Sequence, residues 1–129
     1  MIVVDSAAVV DALTGADGTD DLRAALATED LHAPALLDYE VVSALRGLTL
    51  GRHLTAARAQ DALNDFEDLP VHRWPCSAPL RLRAFSLRAT LTAYDAAYVA
   101  LADALDCPLV TRDARLARAG GFTVEIRVR

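Results

Sequence analysis

The stretch Ile2-Val3-Val4-Asp5 decides the fold, because it predicts a strand at the centre of a parallel sheet. Three β-branched apolar residues follow one another without the polar alternation of a strand that has one face in water. Asp5-Ser6 ends this run, and residues 7–13 then have a helical pattern that Gly15 terminates. Asp5 is therefore expected at the carboxyl end of a central strand, and ligands bind at that edge in open α/β sheets.

The rest of the chain alternates between strands and helices, which predicts an α/β fold. Strands are expected near residues 31–33, 71–74, 108–111 and 122–128, and helices near 22–27, 36–48, 55–69, 79–87, 93–105 and 113–119. The architecture expected from this order is a three-layer α/β/α arrangement around a central, mostly parallel five-stranded sheet, with a helical hairpin at about 36–69. No linker or repeat interrupts the pattern, so the 129 residues are interpreted as a single domain, 1–129.

Composition narrows the possible classes of protein. Hydrophobic residues make up 53% of the chain, which argues against disorder, and the net charge of −5 argues against a nucleic-acid binder held by bulk charge. All 13 basic residues are Arg, which fits either a genomic base composition or a surface suited to bidentate phosphate contacts. Neither a signal peptide nor a long apolar run is present, so we expect a cytoplasmic protein with no membrane contact, in which Cys76 and Cys107 are unpaired.

Four carboxylates stand where they can converge on the predicted edge: Asp5, Glu40, Asp95 and Asp113. Each Asp lies near the start of a predicted helix, where Asp ordinarily caps free backbone N–H groups, so each alone has a structural explanation. Glu40 lies at the edge of the apolar stripe of its helix, where an acid needs water or an Arg as a partner. Strands 1 and 4 can be neighbours at the switch point of a doubly wound sheet, which would bring Asp5 and Asp113 together.

The repulsion within such a cluster has to be offset, since two carboxylates about 4 Å apart repel by about 4 kcal/mol at an effective dielectric constant near 20. Either the acids take up protons or a cation lies among them. Oxygen donors favour Mg²⁺ or Mn²⁺ over zinc, and such an ion activates water and stabilises charge on a phosphodiester. Ser6 and Thr111, which lie beside the acids, could orient a ligand or the water, although caps and turns explain these hydroxyl groups equally well.

Four segments of the sequence resemble the PIN-domain family, namely Val3–Ser6, Tyr39–Arg46, Tyr94–Ala102 and Leu109–Asp113. The similarity points to the VapC toxins of bacterial toxin–antitoxin pairs and covers essentially the whole chain. It implies a Mg²⁺- or Mn²⁺-dependent endoribonuclease that cleaves structured RNA, tRNA or rRNA, by means of a metal-activated water. It further implies that Asp5, Glu40, Asp95 and Asp113 form the catalytic metal pocket, supported by Thr111, and that the partners are a second copy of the chain and a small antitoxin protein.

RNA binding by an acidic protein needs local positive charge. Arg112 and Arg115 follow the fourth strand, and Arg46 follows Glu40 along its helix. We expect these side chains to contact RNA phosphates, the alternative being a solvated charged face.

Other functions remain as alternatives. A haloacid-dehalogenase-type phosphatase would need a second Asp two residues after Asp5, where Ala7 stands. A phospho-receiver domain would need a Lys, which the chain lacks, and an acceptor Asp after the third strand, where Pro75-Cys76 follows. Two hypotheses therefore remain as alternatives to a ribonuclease: a non-catalytic PIN-like scaffold and a different Mg²⁺-dependent phosphoryl hydrolase.

Overall fold

The computed structural model describes residues 1–129 and is built around a five-stranded sheet in which every neighbouring pair of strands is parallel. The strands are β1 (Ile2–Val4), β2 (Leu31–Pro34), β3 (Val71–Trp74), β4 (Leu109–Thr111) and β5 (Ile126–Val128). Their spatial order is β3-β2-β1-β4-β5, so the winding direction reverses between β1 and β4. That reversal is the switch point at which α/β sheets bind ligands.

Seven helices cover the sheet, which confirms the predicted α/β fold. They are α1 (Ser6–Thr14), α2 (Asp20–Thr28), α3 (Leu37–Leu50), α4 (Ala56–Asp68), α5 (Ala78–Ser86), α6 (Ala93–Leu105) and α7 (Ala114–Arg118). Helices α3 and α4 contact each other as the expected hairpin and both pack against α1, whereas α5 packs against α6. Helix α6 lies on β1, β2 and β4, where it supplies a large part of the core. No helix combines the length and the apolar character that a membrane span requires.

The buried strand predicted from the first residues is confirmed. Ile2, Val3 and Val4 are almost completely buried, and β1 is paired on both sides, with β2 and with β4. The segment of α6 from Tyr98 to Ala102 is buried as well. The two thiols of the chain are free, as expected. The core therefore fixes β1, β4 and α6 relative to one another, and these three elements end or begin at the same edge.

The last strand is shorter than predicted. The expectation of a strand over 122–128 is wrong for its first residues, because β5 begins only at Ile126. Its partner β4 is three residues long, and all three of its residues are already paired, from Leu109 with Ile126 to Thr111 with Val128. Residues before Ile126 therefore have no strand beside them, and Gly121 adopts a positive φ of 96° in the turn that precedes them.

Arg112 joins three segments of the chain. Its Nε donates to Asp11 Oδ2 at 2.9 Å, its Nη2 donates to the Asp17 carbonyl at 3.0 Å, and its Nη1 donates to the carbonyls of Gly18 at 3.2 Å and Arg129 at 3.0 Å. The guanidinium group thus holds α1, the α1–α2 loop and the end of β5 together. A side chain engaged in this way has a structural role, which the sequence did not indicate.

Replacing Arg112 with Ala is expected to lower the free energy of unfolding by about 2 kcal/mol. Four hydrogen bonds are lost, but the group is one-quarter exposed, so water replaces part of them. Urea unfolding followed by circular dichroism measures the change. Arg58→Ala is the matched control, because Arg58 is exposed on α4, forms no side-chain hydrogen bond and should stay within about 0.5 kcal/mol of the parent. Equal unfolding midpoints for both variants would contradict the structural role.

Candidate active site

Asp5 lies at the switch point, directly after β1. It is the N-cap of α1, and its Oδ1 accepts a hydrogen bond from the Ala8 N–H at 2.9 Å. Its Oδ2 accepts a hydrogen bond from the Thr111 hydroxyl group at the end of β4. Asp5 therefore caps α1, as an Asp at this position ordinarily does. The two hydrogen bonds, one to each carboxylate oxygen, also fix its side chain at the carboxyl edge of the sheet.

Thr111 connects two of the predicted acids. Its side chain is completely buried; the hydroxyl group donates to Asp5 and accepts the Asp113 N–H at 2.9 Å. Asp5 and Asp113 are thereby held at the ends of adjacent strands, as the strand order predicted.

Asp113 is the N-cap of α7 and forms an ion pair with Arg115. The Arg115 guanidinium donates to both carboxylate oxygens, from Nε at 3.1 Å and from Nη2 at 2.9 Å, and the Arg115 N–H donates at 2.9 Å. The hydrogen bond to this guanidinium group holds the pKa of Asp113 below its usual range. The Arg115 side chain is 83% exposed, so solvent reaches the guanidinium group while it is paired with Asp113.

Glu40 lies in the first turn of α3, and its partner is a tyrosine. The Tyr98 O–H of α6 donates to Glu40 Oε1 at 2.6 Å. Sequence reasoning expected water or an Arg and missed Tyr98. The available signal was a phenol in an apolar helix, since a buried Tyr hydroxyl group needs a hydrogen-bond partner.

Asp95 lies in the first turn of α6 and is exposed. Its backbone N–H donates to the Thr92 hydroxyl group at 3.2 Å, so the cap of α6 is Thr92 and not Asp95, and the Asp95 carboxylate has no hydrogen-bond donor within the chain. The carboxylate is close enough to Asp5 and to Arg115 to act on the charge of each. Asp95 therefore contributes a free negative charge to the edge.

Electrostatic effects link Asp5 to Asp95 and Asp113, and they relate it to Glu40 only through Tyr98. Burial raises the pKa of Asp5 to about 6, with the charges of Asp95 and Asp113 adding to the rise and the hydrogen bonds from Thr111 and Ala8 opposing it. Burial, the bond to Glu40 and the charge of Asp5 all raise the pKa of Tyr98, whereas the neighbouring Ser6 hydroxyl group opposes that shift. Asp5 is thus coupled to two acids directly and to Glu40 through Tyr98.

The donor set fits a hard divalent cation in its chemistry, because all the groups are oxygen ligands and Arg115 is the cation that offsets their charge. The spacing is wider than that of a coordination shell, since no three of the His, Cys, Asp and Glu side chains are close enough together to hold a metal ion. A metal bound here would have to draw the carboxylates inward.

The three Arg side chains predicted to bind RNA differ in their surroundings. Arg112 is engaged with Asp11 and three backbone carbonyls, and Arg115 is paired with Asp113. Arg46 is exposed on α3 and forms no ion pair. The structure therefore leaves Arg46 and the exposed Arg115 as the groups that are most accessible to a phosphate.

A large apolar groove lies beside the acidic edge. Its volume is about 430 Å³, and it is formed by the ends of β2 and β3 together with α5 and α6. Trp74, Phe85 and Tyr94 are its aromatic lining, and the last of these directly precedes Asp95. Sequence reasoning did not identify this groove, because its residues come from four separate elements.

Comparison with known proteins identifies the family. The PIN-domain family pattern matches residues 2–121. Ribonuclease VapC9 of Mycobacterium tuberculosis (strain ATCC 25618 / H37Rv) is 47% identical over 128 residues, which are 99% of this chain and 98% of that protein. Ribonuclease VapC1 of the same strain is 45% identical over 127 residues, which are 98% of this chain and 96% of that protein.

A solved structure agrees with these relatives. The crystal structure of PAE2754 from Pyrobaculum aerophilum superposes with a TM-score of 0.69 at 26% identity, covering 98% of this chain and 83% of that one. The fold, the order of the four matching segments and the sequence relatives all indicate the same family. The chain therefore belongs to the PIN-domain family and, within that family, to the VapC-type ribonuclease toxins.

Proposed function

We propose that this chain is a Mg²⁺- or Mn²⁺-dependent endoribonuclease, the toxin of a toxin–antitoxin pair, whose metal is held by Asp5, Glu40, Asp95 and Asp113. PIN-domain ribonucleases are metal-dependent in general. The observation that carries the proposal is the hydrogen bonding of Thr111 to both Asp5 and the backbone of Asp113 at the switch point, where the charge of Asp95 also acts on Asp5. A buried acid with two acidic neighbours and a raised pKa is typical of a functional site.

The chain's own residues have distinct tasks in this proposal. Thr111 and the Ala8 N–H fix the orientation of Asp5, and Thr111 also holds the backbone of Asp113. A bound divalent ion would supply a water of lowered pKa and stabilise the negative charge that develops on the scissile phosphodiester. Arg115 would leave Asp113 when the ion neutralises that carboxylate, which frees a bidentate donor for phosphate.

RNA contacts are assigned to Arg115 and Arg46. Arg115 is paired with Asp113, Arg46 follows Glu40 along α3, and both guanidinium groups are accessible. Arg112 is supported less well, because its Nε, Nη1 and Nη2 all donate within the chain. A net charge of −5 means that binding has to depend on such local cations rather than on bulk charge.

The apolar groove supports the proposed antitoxin partner, because a groove of about 430 Å³ lined by Trp74, Phe85 and Tyr94 suits the apolar face of a peptide segment. A homodimer is also proposed. Tyr39, Val42 and Leu50 leave large apolar area exposed on α3, which a second copy of the chain would cover.

The test is incubation of the purified protein with a panel of tRNAs and structured rRNA fragments. Cleavage is expected with Mn²⁺ or Mg²⁺, should stop on addition of EDTA and should return when excess metal is added. A non-catalytic scaffold would cut none of the RNAs under any of these conditions. A different phosphoryl hydrolase would leave the RNAs intact and hydrolyse bis-p-nitrophenyl phosphate or a phosphomonoester.

A further inference from the structure

Tyr98 is a buried polar residue at the acidic edge, and the proposed mechanism assigns it no role. It is 2% exposed and lies on α6, three residues after Asp95, so the two side chains project from the same face of the helix. Its hydroxyl group donates to Glu40, which is 58 residues away along the chain, at 2.6 Å. One turn of α6 thus supplies both a free acid and the group that holds a second acid.

The ring of Tyr98 cannot move without disturbing the core. Its neighbours on α6, from Ala96 to Ala102 apart from the half-buried Ala97, are buried, and α6 is packed on three strands. The hydroxyl group is therefore presented from a fixed point. Glu40, in contrast, is a long side chain in the first turn of α3 with several rotatable bonds. The rigid partner determines where the flexible one lies.

We propose that Tyr98 is a positioning residue that holds the Glu40 carboxylate at the acidic edge and so prepares it to bind the divalent metal ion. This inference rests on the proposed function. The hydrogen bond uses Glu40 Oε1 and leaves Oε2 without a donor in the chain, so one oxygen is free for a metal while the other fixes the rotamer. Groups that orient a metal ligand typically change metal affinity or activity by about 10- to 100-fold when removed.

A purely structural role for Tyr98 makes a different prediction. In that case the hydroxyl group only satisfies Glu40, and its loss changes stability while the affinity for metal stays the same. Tyr98→Phe separates the two roles, because it keeps the ring in the core and removes one oxygen atom. Thr28→Val is the matched control, since it also removes a single hydroxyl group, at an exposed position of α2 to which no part of the proposed site is assigned.

Mn²⁺ binding to the full chain is measured by isothermal titration calorimetry, and RNA cleavage is measured over a range of Mn²⁺ concentrations. Tyr98→Phe is expected to weaken Mn²⁺ binding by about 10-fold or more, with kcat approaching the parent value at saturating Mn²⁺. Thr28→Val should bind Mn²⁺ as the parent does. In a Glu40→Gln background, Tyr98→Phe should have no further effect on Mn²⁺ affinity, because the ligand that it positions is already lost.

The outcomes separate this inference from the proposed function. If the parent binds Mn²⁺ and cleaves RNA while Tyr98→Phe binds Mn²⁺ equally well, the positioning role is overturned and the ribonuclease proposal stands. If Tyr98→Phe weakens Mn²⁺ binding to the same extent in the parent and in the Glu40→Gln background, Tyr98 does not act through Glu40, which also overturns the inference. A parent chain that neither binds Mn²⁺ nor cleaves RNA removes the proposed function and this inference together.

Discussion

Replacing Asp5 with Asn is expected to abolish RNA cleavage, with a loss of roughly 10³-fold or more, while the fold is retained. Asp5 is the acid whose pKa is raised by burial, and the charges of Asp95 and Asp113 add to that rise. An amide keeps the shape of the side chain but removes the charge that a divalent cation needs. Cleavage rates at saturating Mn²⁺ measure the loss, and cleavage at the parent rate would contradict the role assigned to Asp5.

The same substitution is expected to stabilise the metal-free protein at pH 7.5. Burial raises the pKa of Asp5 to about 6 from 3.8, so keeping the carboxylate ionised in the folded state costs about 3 kcal/mol above pH 6. Asn avoids this cost, but its single carbonyl oxygen cannot accept both the Ala8 and Thr111 hydrogen bonds that the carboxylate accepts. Together the two effects are expected to raise the free energy of unfolding of Asp5→Asn by about 1 kcal/mol relative to the parent.

The sign of the pH dependence follows from the raised pKa of Asp5. Between pH 6 and pH 4 the folded state binds a proton that the unfolded state does not, so the parent gains stability from this group as the pH falls. The advantage of Asp5→Asn should therefore be largest above pH 6 and disappear toward pH 4. Thermal unfolding in EDTA at pH 7.5, 6 and 4.5 measures it. Asp61→Asn, at an exposed position of α4, is the control and should differ little from the parent at any pH.

The convergence of the acids could be predicted because it depends on strand order rather than on side-chain contacts. A run of three β-branched residues specifies a strand that is buried on both faces, and an apolar run before Thr111 specifies its neighbour. Once both strands are parallel and adjacent, Asp5 and Asp113 have to lie at the same edge. Local sequence patterns therefore determined the position of two of the four candidate ligands.

The contacts that refine the site could not be predicted in the same way. The bond between Tyr98 and Glu40 joins residues 58 positions apart, and the sequence shows only that each needs some partner. Arg112 illustrates the same limit more strongly, because three of its four acceptors are backbone carbonyls. Every residue has a backbone carbonyl group, so the amino-acid sequence does not indicate which carbonyl groups accept these hydrogen bonds.

Replacing Asp95 with Asn is expected to lower RNA cleavage by about 10²- to 10³-fold without a measurable change in stability. The cap of α6 depends on the backbone N–H of Asp95 and on Thr92, so Asn leaves it intact. The carboxylate is exposed and accepts no hydrogen bond from the chain, so the substitution removes no hydrogen bond. Stability should stay within about 0.5 kcal/mol of the parent in EDTA.

Asp103→Asn is the matched control for Asp95. Asp103 lies on the same helix, eight residues further on, and forms an ion pair with Arg83, so its loss removes one acid of α6 without touching the acidic edge. Cleavage by Asp103→Asn should equal that of the parent. Equal losses in both variants would show that activity depends on the overall charge of α6. A loss in Asp95→Asn alone, at unchanged stability, would place the chemistry at the switch point, because no structural contact of the Asp95 carboxylate exists to account for it.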